Sequence, residues 1–155
     1  MKRVDIHDGL DSTMLILNSK LKPINVIKAY GNCPPVECLP SQLNQVFTNI
    51  LSNAADALIS EPNAEIRIQT QTLSDDFVEI SISDNGPGMP ESVSSKIFEP
   101  FFTTKAVGKG TGLGLSISYQ IITERHRGIL QCQSVVGQGT SFSIKIPIAA
   151  RRHQP

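Results

Sequence analysis

The feature that most constrains this chain is an alternating run of residues that ends at one acidic residue and two closely spaced glycines. The run Phe77–Ser83 has an apolar residue at every second position, a period typical of a strand with one buried face. Asp84-Asn85-Gly86-Pro87-Gly88-Met89 follows at once. The glycines allow a sharp turn and the close approach of a flat ligand. The segment is therefore either an ordinary hairpin turn, or a site where Asp84 accepts a hydrogen bond from an exocyclic amine and so distinguishes adenine from guanine.

Composition limits the class of protein. The 155 residues fit one domain with its own core. Fourteen basic and fourteen acidic side chains give no net charge, which argues against a nucleic-acid binder. Three cysteines without metal-ligand spacing favour a reducing compartment. With no long apolar stretch and no signal-like leader, we expect a cytoplasmic domain without direct membrane contact, whose membrane anchor, if it has one, lies outside these residues.

Apolar residues at spacings of three and four predict an amphipathic helix from about Asp5 to Lys22. This helix either packs on its own domain or is the end of a longer helical hairpin. His7 beside Asp8 could in principle accept a phosphoryl group or act as a base. A single solvent-facing histidine on a helix usually does neither, so we expect no such role for His7.

The longest helical pattern runs from Ser41, a candidate N-cap, to about Ile59. Asn49 and Asn53 are four positions apart and so project from the same side of this helix. Asparagine is a mediocre helix former. The two residues are therefore either plain surface amides or hard, neutral oxygen ligands for Mg²⁺ that already carries phosphates.

Five segments are predicted to be strands. They are Pro23–Tyr30, Ala64–Thr72, Asp76–Ser83, Ile129–Val135 and Ser141–Ile148. The second and third are expected to form an antiparallel hairpin, and the last two flank a glycine turn that ends at Thr140. His126, near the C-terminal end of the helix before them, is expected to be structural.

Little periodicity is present between Met89 and Gly110, as is typical of a functional lid. Three phenylalanines could anchor this segment, namely Phe98, Phe101 and Phe102. Glycines then occupy every second position from Gly108 to Gly114, directly before a helix that runs to about Glu124. This arrangement predicts either an anion site made of bare amides at a helix N-terminus or a flexible hinge.

The order of these motifs resembles the catalytic ATP-binding domain of sensor histidine kinases. Asn49 and Asn53 match the N box, and Asp84, Gly86 and Gly88 match the first glycine box. Phe98-Glu99-Pro100-Phe101 is similar to the F box, Gly110–Leu115 to the second glycine box, and Gly137-x-Gly139-Thr140 to the last glycine turn. The resemblance covers roughly residues 24–148.

The resemblance implies an α+β fold of the Bergerat type: a two-layer α/β sandwich with a mixed sheet of about five strands, three helices on one face and an additional N-terminal helix. It divides the chain into an N-terminal helix at 1–22, assigned to the end of a dimerisation hairpin or linker, a catalytic domain at 23–150 and a tail at 151–155.

The resemblance also implies a role for each matched residue. Asp84 would accept the adenine amino group, Gly86 and Gly88 would admit base and sugar, and Thr140 would support the adenine edge. Asn53 would hold Mg²⁺ with Asn49 nearby. The phosphates would meet Lys105, Lys109, Gly110, Thr111, Gly112, Leu113 and Gly114, with Lys105 at the γ-phosphate. The three phenylalanines would tether the lid without touching nucleotide.

Two positions depart from the family pattern. Many members carry a basic residue three positions after the second N-box asparagine, where this chain has Asp56. That phosphate contact is then either missing or supplied by Lys109. The family's phosphoacceptor histidine is typically followed by an acid and a proline, whereas His7 lacks the proline and is too close to the N box. We therefore expect the acceptor to lie outside this chain.

The function implied is transfer of the γ-phosphate of ATP to a histidine on the dimerisation domain of the same, homodimeric protein, for relay to a response-regulator aspartate. An ATPase of the same superfamily, such as gyrase, Hsp90 or the mismatch-repair proteins, is an alternative. Those enzymes have a water-activating glutamate one turn before the metal asparagine, where Asn49 would be a poor base. A protein-serine kinase of the anti-sigma type and a nucleotide-sensing interaction module are the remaining alternatives.

Overall fold

The computed structural model describes residues 1–74, 76–102 and 114–150. In chain order, the strands are β1 (Lys2–Val4), β2 (Asn25–Tyr30), β3 (Val36–Cys38), β4 (Glu65–Leu73), β5 (Phe77–Asp84), β6 (Ile129–Val135) and β7 (Gly139–Pro147). The helices are α1 (Ile6–Ile16), α2 (Asn18–Leu21), α3 (Pro40–Ala57), α4 (Glu91–Ser94) and α5 (Gly114–Gln120), which continues into a π-helical turn at Ile121–Arg125. None of the helices in these ranges is long and apolar enough to cross a bilayer.

Five strands form one mixed sheet in the order β2-β4-β5-β7-β6. Strands β2 and β4 are parallel, and every other neighbouring pair in this sheet is antiparallel. The register places Asp84, the last residue of β5, opposite Thr140 on β7 and Ile66 on β4. The predicted five-stranded mixed sheet is therefore confirmed. Its register places the start of the first glycine motif beside the end of the last one.

Helix α3 covers the apolar face of the sheet. The residues that it buries are Leu43, Val46, Phe47, Ile50, Leu51, Ala54 and Ala55. They pack in one core with the inward residues of the strands, including Ile68, Ile80, Phe142 and Ile144. The alternation of buried and partly buried residues along β5 and β7 follows from the period of two. The opposite face of the sheet is polar, as a half-exposed sheet requires.

The N-terminal helix packs on this same core. Ile6 and Leu10 are fully buried against it, so the helix lies on its own domain, which is one of the two alternatives for this segment. Its assignment to the end of a dimerisation hairpin remains a prediction. The helix is also shorter than expected, since α1 ends at Ile16 and a separate turn, α2, follows after Leu17.

Strand β1 pairs antiparallel with β3 and forms a second, two-stranded sheet. We did not predict this sheet, because three-residue strands are too short to show a period of two. The pairing holds the start of the chain beside the strand that leads into α3.

Helix α3 begins at Pro40, with Leu39 as its N-cap residue, so the prediction of Ser41 as N-cap is wrong. Proline is favoured in the first turn because its fixed φ suits the helix and its missing N–H needs no partner there. The backbone N–H of Leu39 donates to Nε2 of His126, over 3.1 Å. His126 thus ties the start of α3 to the end of the π-helical turn that continues α5.

His126 is buried, at 5% exposure, and its Nδ1 lies 2.9 Å from the carbonyl oxygen of Ile121. A carbonyl only accepts, so Nδ1 carries the proton and Nε2 is the acceptor for Leu39. Burial lowers the pKa of His126, against the opposing effect of the hydrogen bond to Ile121. The expected structural role of His126 is confirmed by these contacts.

Candidate functional site

Asp84 is held at the C-terminal end of the central strand β5 by main-chain groups. Its Oδ1 accepts a hydrogen bond from the backbone N–H of Gly86 over 2.9 Å, and the backbone of Thr140 donates a further one. Burial raises the pKa of the Asp84 carboxyl, and these two hydrogen bonds reduce that rise without cancelling it. The carboxyl group is thus fixed in orientation before any ligand arrives.

The glycines after Asp84 are required by the protein's own backbone. A Cβ on Gly86 would lie 2.9 Å from Oδ1 of Asp84 and 3.2 Å from the carbonyl oxygen of Ala57. Gly88 has a φ of +72°, and a Cβ there would overlap the carbonyl oxygen of Val135. The structure therefore gives these glycines a packing role, and their contact with base and sugar remains a prediction.

Thr140 is 8% exposed and belongs to a chain of hydrogen bonds between neighbouring segments. Its Oγ1 lies 2.8 Å from Oγ of Ser134, which in turn accepts from the backbone N–H of Met89 over 2.7 Å. Ser134 was not predicted. The sequence feature that could have indicated Ser134 is a polar residue on the inward side of β6, in line with Leu130 and Cys132. Its hydrogen bonds connect the last glycine turn to the segment after Gly88.

Asn49 and Asn53 lie on one side of α3, and both are half-buried. Nδ2 of Asn49 donates two hydrogen bonds of 3.0 Å, one to the carbonyl oxygen of Gly114 and one to Oγ of Ser118. Asn53 makes no side-chain hydrogen bond with another residue that the structure describes. Ser118, which we did not predict, therefore links the helix of the two asparagines to the first turn of α5.

Asp56, the departure from the family pattern, forms an ion pair with a residue from the N-terminal segment. Nζ of Lys20 on α2 lies 2.8 Å from Oδ1 of Asp56 and 2.7 Å from Oγ of Ser52. The Lys20 side chain is 44% exposed. A cationic side chain thus lies beside this part of α3, but it belongs to α2 and not to α3.

The aromatic residues before the glycine-rich segment behave differently from one another. Phe98 packs against Tyr119, with ring centroids 5.2 Å apart, and against Phe142, at 6.4 Å. Phe102 is partly buried against the core. Phe101 is 74% exposed with a φ of +65°, so the prediction that all three rings tether the segment is wrong for Phe101.

His7 is not solvent-facing, contrary to our expectation, because its side chain is only 16% exposed. Its ring stacks on Tyr30 at 4.3 Å, Nε2 lies 2.7 Å from Oγ1 of Thr70, and Nδ1 lies 3.0 Å from Asp5. Both ring nitrogens are therefore engaged by the protein. These contacts fix α1 on the sheet and favour a structural role.

The remaining predicted site residues lie outside the described part of the chain. They are Lys105, Lys109, Gly110, Thr111, Gly112 and Leu113. The described residues form two groups: one around Asp84 and Thr140, and one around Asn49, Asn53 and Gly114. Gly86 lies close to Ala57, one helical turn beyond Asn53, since a Cβ on Gly86 would be 3.2 Å from the carbonyl oxygen of Ala57. This proximity connects the two groups.

The sequence of this chain is similar to that of known histidine kinases. The family model of the histidine kinase-, DNA gyrase B- and HSP90-like ATPases matches residues 38–150. Sporulation kinase E of Bacillus subtilis (strain 168) is 41% identical over 139 residues, which are 88% of this chain and 18% of that protein. The histidine kinase AtoS of Escherichia coli (strain K12) is 41% identical over 138 residues, 89% of this chain and 20% of that protein. The chain thus spans about a fifth of these relatives.

Solved structures agree with this relationship. The catalytic domain of histidine kinase ThkA superposes with a TM-score of 0.83 at 30% identity, over 96% of this chain and 97% of that one. The mycobacterial sensor histidine kinase MprB gives a TM-score of 0.82 at 25% identity, over 97% and 99% of the two chains. The chain therefore belongs to the histidine kinase-, DNA gyrase B- and HSP90-like ATPase family, as an ATP-binding catalytic domain of the sensor histidine kinase type.

Proposed function

We propose that this domain binds ATP together with Mg²⁺ and donates the γ-phosphate to a histidine outside this chain. The observation that carries the proposal is the fixed carboxyl of Asp84, which the backbone of Gly86 and Thr140 orients beside the helix of the two asparagines. A carboxylate oxygen held in this way accepts a hydrogen bond from the adenine amino group, whereas it would oppose the carbonyl of guanine.

The asparagines on α3 suit the metal end of the nucleotide. Their amide oxygens are hard and neutral, as Mg²⁺ on a triphosphate requires. Within the described ranges, no three His, Cys, Asp or Glu side chains are grouped so that they could hold a metal alone. The residues thus fit a cation that arrives with the phosphates, held by Asn53 with Asn49 nearby. When bound, Mg²⁺ would neutralise charge on the phosphates during transfer.

The protein's own contribution is positioning and charge stabilisation. Asp84 and Thr140 would fix the base, while Asn49 and Asn53 would orient the phosphates through the cation. We assign Gly110–Gly114 and Lys109 to the phosphates, and Lys105 to charge on the γ-phosphate. Phe98 anchors the start of the segment that precedes these phosphate-binding residues. We assign no role to the exposed Phe101.

Direct hydrolysis of ATP is less well supported. An efficient ATPase needs a base near the attacking water, and an amide at position 49 does not accept a proton. The nitrogen of this amide is moreover engaged by Gly114 and Ser118. Activation of water at this position therefore has no suitable group among the described residues.

We propose two protein partners for the complete molecule. The first is the histidine-containing dimerisation domain of the same, homodimeric protein, and the second is a response regulator. A solved structure of ThkA in complex with the response regulator TrrA superposes on this chain with a TM-score of 0.79 at 27% identity, over 95% of this chain and 41% of that one.

The three cysteines, all unpaired, suit placement of the reaction in the reducing cytoplasm.

Phosphoryl transfer tests this proposal directly. The chain would be incubated with γ-labelled ATP and Mg²⁺, alone and with the separately expressed histidine hairpin of the full-length protein. We expect label on the hairpin and none on this chain. Label on this chain would contradict the structural role of His7, and release of free phosphate without labelling of the hairpin would favour the ATPase alternative.

A further inference from the structure

The amide of Asn49 is fixed in one orientation by its neighbours. One of its two acceptors is the main-chain carbonyl of Gly114, which only accepts hydrogen bonds. The atom 3.0 Å from this carbonyl must therefore be Nδ2, and Oδ1 must be on the other side of the amide. This orientation follows from donor and acceptor chemistry alone.

Ser118 completes this arrangement. Its side chain is fully buried, and its hydroxyl donates to the same Gly114 carbonyl over 2.8 Å while it accepts from Nδ2 of Asn49 over 3.0 Å. Both protons of the Asn49 amide are thereby used. A flipped amide would place Oδ1 against the Gly114 carbonyl, two acceptors facing each other, so the flip is costly.

The oxygen of Asn49 is consequently the atom left for a ligand. It accepts no hydrogen bond from any residue that the structure describes. A Cβ on Gly114 would lie 3.8 Å from this oxygen, so Oδ1 borders the residue that closes the glycine-rich segment. A hard oxygen is thus presented where the phosphates are proposed to bind.

We propose that Ser118 is a positioning residue for the reaction: through its hydrogen bond it holds Asn49 so that Oδ1, and not Nδ2, faces the Mg²⁺ on the nucleotide. This inference rests on the proposed function. Side chains that orient metal ligands typically change metal affinity or activity by about ten- to a hundredfold when they are removed. Ser118 is therefore expected to affect the requirement for Mg²⁺ more than the affinity for the base.

The test compares two serine or threonine hydroxyls on the same helical segment. Ser118→Ala removes the hydroxyl that contacts Asn49. Thr123→Ala is the matched control, because the hydroxyl of Thr123 makes the same kind of backbone bond, to Tyr119 over 2.7 Å, and does not contact Asn49. ATP affinity would be measured by calorimetry with and without Mg²⁺.

We expect Ser118→Ala to weaken the gain in ATP affinity that Mg²⁺ provides by about tenfold, with less than about a twofold change in metal-free affinity. Thr123→Ala should match the wild type both in the gain that Mg²⁺ provides and in the metal-free affinity for ATP. In an Asn49→Ala background, Ser118→Ala should have no further effect, since Ser118 acts through Asn49. Equal behaviour of Ser118→Ala and wild type, or additive losses in the double variant, would overturn the inference while ATP binding by the wild type stands.

A second readout does not depend on nucleotide. The side-chain amide protons of Asn49 should move in the NMR spectrum of the free Ser118→Ala protein, and Ser118→Cys, which keeps a weak acceptor of similar size, should move them less. If the alanine variant does not fold, the Ser118→Cys variant replaces it in the same measurements. Unchanged Asn49 amide resonances would contradict the hydrogen bond itself, and a wild-type chain that does not bind Mg-ATP would overturn the proposed function and this inference with it.

Discussion

The two ends of the proposed nucleotide site are built in different ways. Around Asp84, the fixed groups belong to the main chain: a neighbouring N–H at Gly86 and the paired strand residue Thr140. Around Asn49, the fixed groups come from side chains and from a carbonyl 65 positions away in sequence. The first end depends on strand pairing and on the absence of Cβ atoms, whereas the second depends on single side-chain atoms.

The largest effect that we expect comes from adding a Cβ at the first end. Gly88→Ala would place a methyl group on the carbonyl of Val135 in a residue with positive φ, at a cost of about 3 kcal/mol of unfolding free energy. Gly137→Ala is the control, because its φ of +83° is similar but no atom lies within 4 Å of the added Cβ. That variant should lose about 1 kcal/mol. Urea unfolding of both would show whether packing or φ dominates, and equal losses would contradict the packing argument.

The next largest effect concerns binding at the same end. Asp84→Asn replaces a charged acceptor by an amide that can present its nitrogen to the Gly86 N–H, so ATP affinity should fall by about 2 kcal/mol, roughly thirtyfold. Glu79→Gln is the matched control, since Glu79 is on the same strand but contacts Ser143 and Gln71, away from Asp84. Calorimetry should show an unchanged affinity for that variant. An unchanged affinity in Asp84→Asn would place adenine elsewhere.

The burial of His126, which lowers the pKa of its imidazole, predicts a pH dependence of stability. The native pKa of His126 lies below the ordinary value of 6.5, so the unfolded chain takes up a proton first as the pH falls. The free energy of unfolding should therefore be unaffected above 6.5 and should decrease as the pH falls below it towards the native pKa. The difference between wild type and His126→Gln isolates this histidine from the carboxylates. A difference that is constant from about pH 7.5 to about pH 5 would contradict this account.

The smallest effect should come from the exposed ion pair between α2 and α3. Lys20→Met removes a half-exposed partner of Asp56, and such pairs contribute about 0.5 kcal/mol or less to unfolding free energy. Lys28→Met, which removes the similarly exposed partner of Asp11, is the control for general loss of charge. A reduction of ATP affinity in Lys20→Met alone would show that this ammonium also serves the phosphates.

The same contrast explains which parts of the structure could be predicted from sequence. The strand that ends at Asp84 and the two hairpins follow from a period of two and from local turn residues, so they were predictable. The core face of α3 was equally clear from its spacing. The β1–β3 pairing, the hydrogen bond from Leu39 to His126 and the Ser118 contact join residues that are distant in sequence and carry no local signal.

Two errors concern features that the local sequence does not encode. Phe101 has the same side chain as the nearby Phe98 and Phe102, but its backbone adopts a positive φ and turns the ring outwards. His7 was predicted to be exposed because its helix position carries no information on Tyr30 and Thr70, which bury it. In both cases a tertiary contact or a backbone reversal decided the outcome.

The central claim is that the fixed carboxyl of Asp84 recognises adenine, and nucleotide selectivity tests it most directly. Calorimetric titration of the wild-type chain with ATP and with GTP, each with Mg²⁺, compares an exocyclic amine with a carbonyl at the same position of the base. The account predicts binding of ATP and an affinity for GTP that is lower by a factor of about ten or more. Equal affinities for the two nucleotides, or no binding of ATP, would contradict it.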